Sequence, residues 1–558
     1  MKTLKRQFKV VLSLLLVAII ACSAVLPSFA AAELKDRGSA YPTIVISGDS
    51  PTIVDENNNP VFSIGGIFSG ISIDKDSIVD MVVSVMKPYY LEGRLKGDYE
   101  NYYQAIYDII APLFEKARLD GNGEPSNGTR IEDWRIGHNE WQKNNNTRQD
   151  DGFTKEAYHF WYDWRLDPLF TADELNSFIE SVKRSTGCDK VVVNSMCLGT
   201  DVLMSYIAKY GTDSLYGVSF DGSVVSGAEL LSDPICGKFN LDGDAIVRFL
   251  TDSNATGVLS IDEIVIDVVD VLEQSGVLGF VEDYTKAVVY NDVKEGVTSA
   301  LARSTFFTWP GYWAPVLAQD YETAKEYVFG KEGSKLRDEY AGLIQKLDNY
   351  NTTVRQRIPE LLGQIKASGV NICVIAKYGM QLGPITYSND VIADQVASVK
   401  NASFGATTST IYNTLTDKYI ADQTKAGLGK YIAPDGQVDA STCYFRDNTW
   451  FVKGARHSNW TDFEAQLVFT VTTAERQLTV DDFSFSQFIV YDNEANTAEK
   501  MTVGNCDTYN WDANRKDDTS SNPFIRIRKF YQALKKLIQR IIEIVREKKA
   551  TEANPATR

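Results

Sequence analysis

Histidine is nearly absent: the chain of 558 residues carries three, His138, His159 and His457. Any chemistry that needs an imidazole must run through one of them. Cysteine is sparse too, at seven, with no C-x-x-C pair and no regular spacing. That excludes the usual zinc modules and a dense disulfide framework. Basic residues are outnumbered, 57 Lys and Arg against 74 Asp and Glu, for a net charge of −17. So acidic a body repels phosphate backbones, and no nucleic-acid partner is expected. No cofactor or metal motif is read. The one long apolar run, Val10–Ala21, is too short to make a good membrane span.

That run fits an export signal. The N-terminus "MKTLKRQFKVVLSLLLVAIIACSAVLPSFAAAELK" has a basic start, the apolar run, then an A-x-A-like cleavage site after about Ala30. The competing reading is a lipoprotein signal, because "IIAC" at Ile19–Cys22 resembles a lipobox; the apolar "AVLPSFAAA" that follows suits it less. Either way the expected location is secreted or extracellular-surface associated. Removing residues 1–30 takes away Lys2, Lys5, Arg6 and Lys9 and no acid. The mature chain is then more acidic still, and keeps Cys188, Cys197, Cys236, Cys373, Cys443 and Cys506.

The length exceeds one simple core, so one large α/β domain with additions is expected. Strand patterns at Tyr41–Val54, Glu156–Pro168, Lys190–Met196, "LYGVSFDGSVVSGA" and Val370–Gly379 alternate with helical ones, which implies a mostly parallel sheet flanked by helices. One of those helices, "LFTADELNSFIESVKRSTG", carries a capping pattern of Thr171 with Glu174. Residues 31–228 read as the first part of the core and 229–366 as a helical cap, strand-poor and marked by the aromatics Phe306, Phe307, Trp309, Tyr312 and Trp313. Residues 367–465 read as the second part of the core, with "NTWFVKGARHSNW" as its last strand. Residues 466–522 form an extension and linker in which "AQLVFTVTT" and "FSQFIVYD" look β-like. Residues 523–558 read as a basic amphipathic helix, whose apolar stripe and basic face over 524–549 suit a membrane or cell-envelope surface.

The segment "KVVVNSMCLGTDVLMSYIAKYG" runs from a buried strand into a helix through "NSMCLG". Hydrolases of the α/β class place a nucleophile on such a strained turn, and the residues two before and two after it must be small. For Ser195 those neighbours are Val193 and Cys197; for Cys197 they are Ser195 and Gly199. Cys197 is therefore the expected nucleophile. His457 follows the other sheet elements, the place of a general base in the order nucleophile, acid, histidine; His138 lies in a polar loop-like segment and His159 in an aromatic strand. The acid is sought between Cys373 and His457, and Asp435, in a D-G-x-V turn, is the first choice ahead of Asp439, Asp390 and Asp221. The N–H of Leu198, with one from Asp49 or else Ser50, is expected to form an oxyanion hole.

These segments resemble the lecithin:cholesterol acyltransferase-like family of α/β-hydrolases. "FWYDWRLDP" is similar to that family's Y-D-W-R segment, "KVVVNSMCLG" stands where its strand runs into G-H-S-M-G, and "PDGQVDAST" resembles its acid turn. The resemblance spans roughly Tyr41 to Trp460. It implies the α/β-hydrolase fold and acyl transfer to water or an alcohol through a Ser-Asp-His triad, often on lipid esters. Here cysteine replaces that serine, Ser195 replaces a glycine, and "ISGDSP" lacks a glycine-rich oxyanion loop. The expectation is an acyl hydrolase or acyltransferase acting on ester, lipid-like substrates through Cys197, His457 and Asp435. The competing readings are an inactive binding protein on the same fold and a cysteine amidase or peptidase.

Overall fold

Three consecutive valines, Val191–Val193, lie wholly buried at the centre of the molecule, where a strand covered on both faces has no polar side. The computed structural model describes residues 41–48, 52–62, 88, 92, 96–132, 148–149, 157–238, 305–382, 386–388, 390–411, 413–457, 460–483, 485–492, 495 and 497–506. The expected signal segment, His138, Asp49, Ser50, most of the first half of the expected cap and the basic C-terminal helix fall outside these residues.

The valines belong to a nine-stranded sheet. In chain order its strands are β1 (Thr43–Ile46), β2 (Arg148–Gln149), β3 (Ala157–His159), β4 (Val191–Met196), β5 (Leu215–Asp221), β6 (Asn371–Tyr378), β7 (Thr449–Lys453), β8 (Phe488–Asp492) and β9 (Thr497–Lys500). The spatial order is β9-β8-β7-β6-β5-β4-β1-β3-β2. Pairings from β3 through β8 are parallel, and the outermost pair at each edge is antiparallel. This is an α/β fold with a mostly parallel sheet and flanking helices.

The two faces of β6 show how the layers divide. Ile372 and Val374 join one core with Leu175, Phe178 and Ile179 of the helix Pro168–Thr186 and Leu361 and Ile365 of the helix Ile358–Ser368. Cys373 and Ile375 face the opposite way, onto Leu467, Val468 and Val471 of the helix Asp462–Thr472. The period of two along the strand thus feeds two separate helical layers.

Three local expectations are corrected. The helix expected to start at Thr171 starts at Pro168: Asp167 is the N-cap, accepting from the Leu169 N–H at 2.9 Å, and proline at the first position presets the helical φ. "AQLVFTVTT", read as β-like from its β-branched residues, lies in the helix Asp462–Thr472. Its start is fixed by a capping box, with Thr461 bonded to the Glu464 N–H and Glu464 bonded back to the Thr461 N–H. Nor is β7 the last core strand, because β8 pairs with it in parallel and β9 completes the edge.

Between β5 and β6 the described residues form only helices, among them Glu229–Ile235, Pro310–Trp313, Tyr321–Phe329 and Ala341–Thr353. Ile235, Phe307, Trp313, Phe329 and Leu343 build a core of their own there. The Y-D-W-R segment is the junction between this region and the sheet. Trp164 packs edge-on against Trp309 at 5.1 Å and stacks on Tyr312 at 5.4 Å. Arg165 is fully buried, pairs with Asp163 at 2.6 Å and donates to the carbonyl of Ala117 at 3.0 Å. A guanidinium with its hydrogen bonds filled in this way ties distant backbone together.

Candidate active site

The turn from β4 into the helix Leu198–Tyr210 is as tight as the sequence implies. Cys197 sits at φ 51°, ψ −129°, one of few non-glycine residues at positive φ, a strained conformation found where surrounding structure enforces it. Gly199 lets the helix start close to β1: a Cβ there would fall 2.5 Å from the Ile46 carbonyl oxygen. Ser195 is buried, and its Oγ donates to the Ser219 carbonyl on β5 at 2.5 Å. That hydroxyl is committed to the neighbouring strand, while Cys197 is the half-buried residue at the apex.

His457 is brought to this apex by the segment that follows β7. Its Nδ1 lies 2.7 Å from Asp394 Oδ2. An ionised carboxylate only accepts, so Nδ1 carries the proton. Burial alone would lower the imidazole's pKa, but Asp394 and then Cys197, by charge and hydrogen bonding, together raise it well above its ordinary value. Nε2 is buried and lacks a well-aligned hydrogen bond, which leaves it available to a proton in transit. His159, by contrast, stacks on Trp161 at 5.7 Å in an aromatic layer.

The acid differs from the expected one. Asp394 is fully buried in a turn after β6, where its Oδ1 accepts the N–H groups of Val396 at 3.1 Å and Ala397 at 2.9 Å. Burial pushes its pKa up, but the imidazole and these N–H groups outweigh that and hold the carboxyl below the ordinary range. Asp435 does not meet His457. It forms the expected D-G turn, but its Oδ2 receives Tyr378 Oη and Lys453 Nζ, both at 2.9 Å. Local turn geometry was satisfied, and a lysine at the end of β7 took the carboxylate. The other choices are also placed elsewhere: Asp439 accepts from Tyr419 Oη at 2.8 Å, Asp390 is exposed, and Asp221 pairs with Lys377 at 3.1 Å.

Leu198 opens the helix, so its N–H has no partner within the helix. The residue that packs over the thiol is Gly48, which sequence reasoning passed over in favour of Asp49. A Cβ at Gly48 would fall 2.7 Å from Cys197 Cβ, 3.1 Å from Sγ and 3.6 Å from the Leu198 nitrogen. Only a glycine lets the loop after β1 come this near, and "SGDS" was the available signal. Tyr162 Oη lies 3.0 Å from both the Ser47 and Gly48 carbonyls and pins that loop.

Among the described residues all six cysteines are free thiols, and no group of three or more His, Cys, Asp or Glu is placed to hold a metal ion. None of their helices is long and apolar enough to cross a membrane. No protein-family model matches the chain, and no curated protein matches it.

Proposed function

We propose that the chain is an α/β-hydrolase-type acyl hydrolase or acyltransferase that works through Cys197, His457 and Asp394. One observation carries this reading: a cysteine on a strained strand-to-helix turn interacts with a buried imidazole whose other nitrogen holds a buried carboxylate. That is the arrangement of an activated nucleophile, its base and the group that orients the base. Fold alone would not favour it over a binding role.

In the proposed reaction the Cys197 thiol gives its proton to His457 Nε2, its sulfur attacks an ester or thioester carbonyl, and the carbonyl π electrons move onto oxygen. The oxyanion forms against the N–H of Leu198, beside Gly48. As the carbonyl re-forms, the bond to the leaving group breaks, and imidazolium His457 gives its proton to the departing alkoxide or thiolate. Water or an alcohol then attacks the acyl-cysteine, His457 takes its proton, and the thiolate leaves. Asp394 holds the Nδ1 proton throughout. Lipid-like esters are the substrate class we favour, with the helical region between β5 and β6 covering the acyl chain and the 524–549 segment meeting an envelope surface outside the cell.

The test is incubation with a short-chain aryl ester and with a thiol-reactive ester probe, followed by intact-mass measurement. Turnover, with probe mass found on Cys197 and lost in Cys197→Ala, supports the proposal. A well-folded protein that neither hydrolyses nor labels would instead be a binding protein.

A further inference from the structure

Beneath the proposed catalytic pair lie three ionisable side chains with no exposure at all, Asp221, Lys377 and Glu464. Lys377 occupies an odd position of β6, on the face that carries the apolar Cys373 and Ile375. Its Nζ is 3.1 Å from Asp221 Oδ1 and 3.7 Å from Glu464 Oε1. Removing an ion from water costs several kcal/mol even after relaxation, and apolar residues of similar volume often serve stability as well or better. Stability alone is thus a poor reason for this cluster.

Its main-chain connections supply a better one. Lys377 Nζ donates to the carbonyl oxygen of His457 at 3.2 Å. The carbonyl of Asp221 accepts the N–H of Cys197 at 3.1 Å. Glu464 caps the helix that begins just after His457. The ion pair therefore joins the backbone that carries the thiol to the backbone that carries the imidazole, although the two follow strand ends separated by β5 and β6.

We infer that the buried Lys377–Asp221 pair is a positioning device that fixes the imidazole of His457 relative to the thiol of Cys197. Its significance for catalysis rests on the function proposed above; the positioning itself does not. Lys377 and Asp221 touch no substrate and act through the two residues they hold.

Lys377→Met alone would strand two buried carboxylates and confound misfolding with mispositioning; the informative variant is Asp221→Asn with Lys377→Met, which removes both charges of the pair while keeping the shapes and leaves Glu464, its carboxyl pushed up to about 7 by burial, with its bond from the Thr461 N–H. The downfield proton NMR signal of His457 Nδ1–H, assigned by its loss in His457→Asn, reports the imidazole's geometry. Aryl-ester kinetics report its consequence. The double variant is expected to shift or broaden that signal and to lower kcat ten- to a hundredfold with KM within threefold. Val471→Ala, which loosens the same helix without touching the pair, is expected to move neither. A folded double variant with the wild-type signal and kcat would overturn the positioning role, as would Val471→Ala reproducing both changes. Should the wild-type protein show no turnover and no Cys197 labelling, the proposed function falls, and the NMR signal alone decides the positioning role: a shift in the double variant supports it and an unchanged signal overturns it.

Discussion

Two buried aspartates in loops after β6 are built almost alike. Asp394 accepts the N–H two residues on, from Val396, and Asp435 accepts the N–H two residues on, from Gln437, at 2.9 Å. Each then aims its second oxygen at a cationic partner, His457 Nδ1 at 2.7 Å and Lys453 Nζ at 2.9 Å. The difference lies in the partner. The Lys453 ammonium makes its pair a clamp across the ends of β6 and β7, joined by Tyr378 and by the Cys506 carbonyl. Imidazole can give its proton up, and under the proposed function the same carboxylate geometry orients the proton relay between the thiol and the imidazole.

The largest expected effect concerns the thiol on which the proposed chemistry depends. Cys197→Ala should abolish acyl-enzyme formation and hydrolysis, whereas Ser195→Ala should retain most activity; intact-mass labelling checks both. Next, Asp394→Asn should lower kcat on the order of 10²–10⁴-fold by disturbing the imidazole's tautomer, measured with the aryl ester. Asp435→Asn should leave kcat of the folded protein within about threefold. It should instead cost about 3–5 kcal/mol of stability by stranding Lys453, read from chemical denaturation. Equal losses of kcat in the two variants would erase the distinction between clamp and relay.

A smaller effect concerns pH. The Asp394 carboxyl is depressed in the fold, so its contribution to stability is present above the unfolded value of about 4 and is lost as pH falls through its folded pKa. The His457 imidazole is raised, so its contribution is full below about pH 6.5 and is lost as pH rises through its folded pKa. The gap in Tm between the wild type and His457→Asn should therefore be widest near pH 5–6 and narrow toward alkaline pH.

The elbow was legible because its constraint is local: Ser195 and Gly199 flank Cys197 at fixed spacing, and no distant residue can relax that. His457 was legible because only three histidines exist. Asp394 was not, since its turn is closed by its own carboxylate with Gln395, a non-glycine, at φ 86°, and no D-G flag marks it. What drew Asp435 away was Lys453, a neighbour only once two strand ends meet. The helix Asp462–Thr472 was hidden by β-branched residues, although "TDFE" carried its capping box. Lys377 stood in view as the charged residue breaking an apolar alternation, but what it grips is a backbone carbonyl, which sequence does not display.

The helical region between β5 and β6 also has a consequence in time. It delays the appearance of β6, β7 and His457 long after Cys197 has been made. At ~5–20 residues per second, the ribosome needs roughly ten to fifty seconds to travel from Cys197 to His457. For that interval the thiol exists without the imidazole, and for most of it without the Lys377 side chain. Cys197 therefore lacks its neighbours until the chain past β7 has been made. A nascent chain arrested before β7 should react with alkylating agents at the rate of a model thiol.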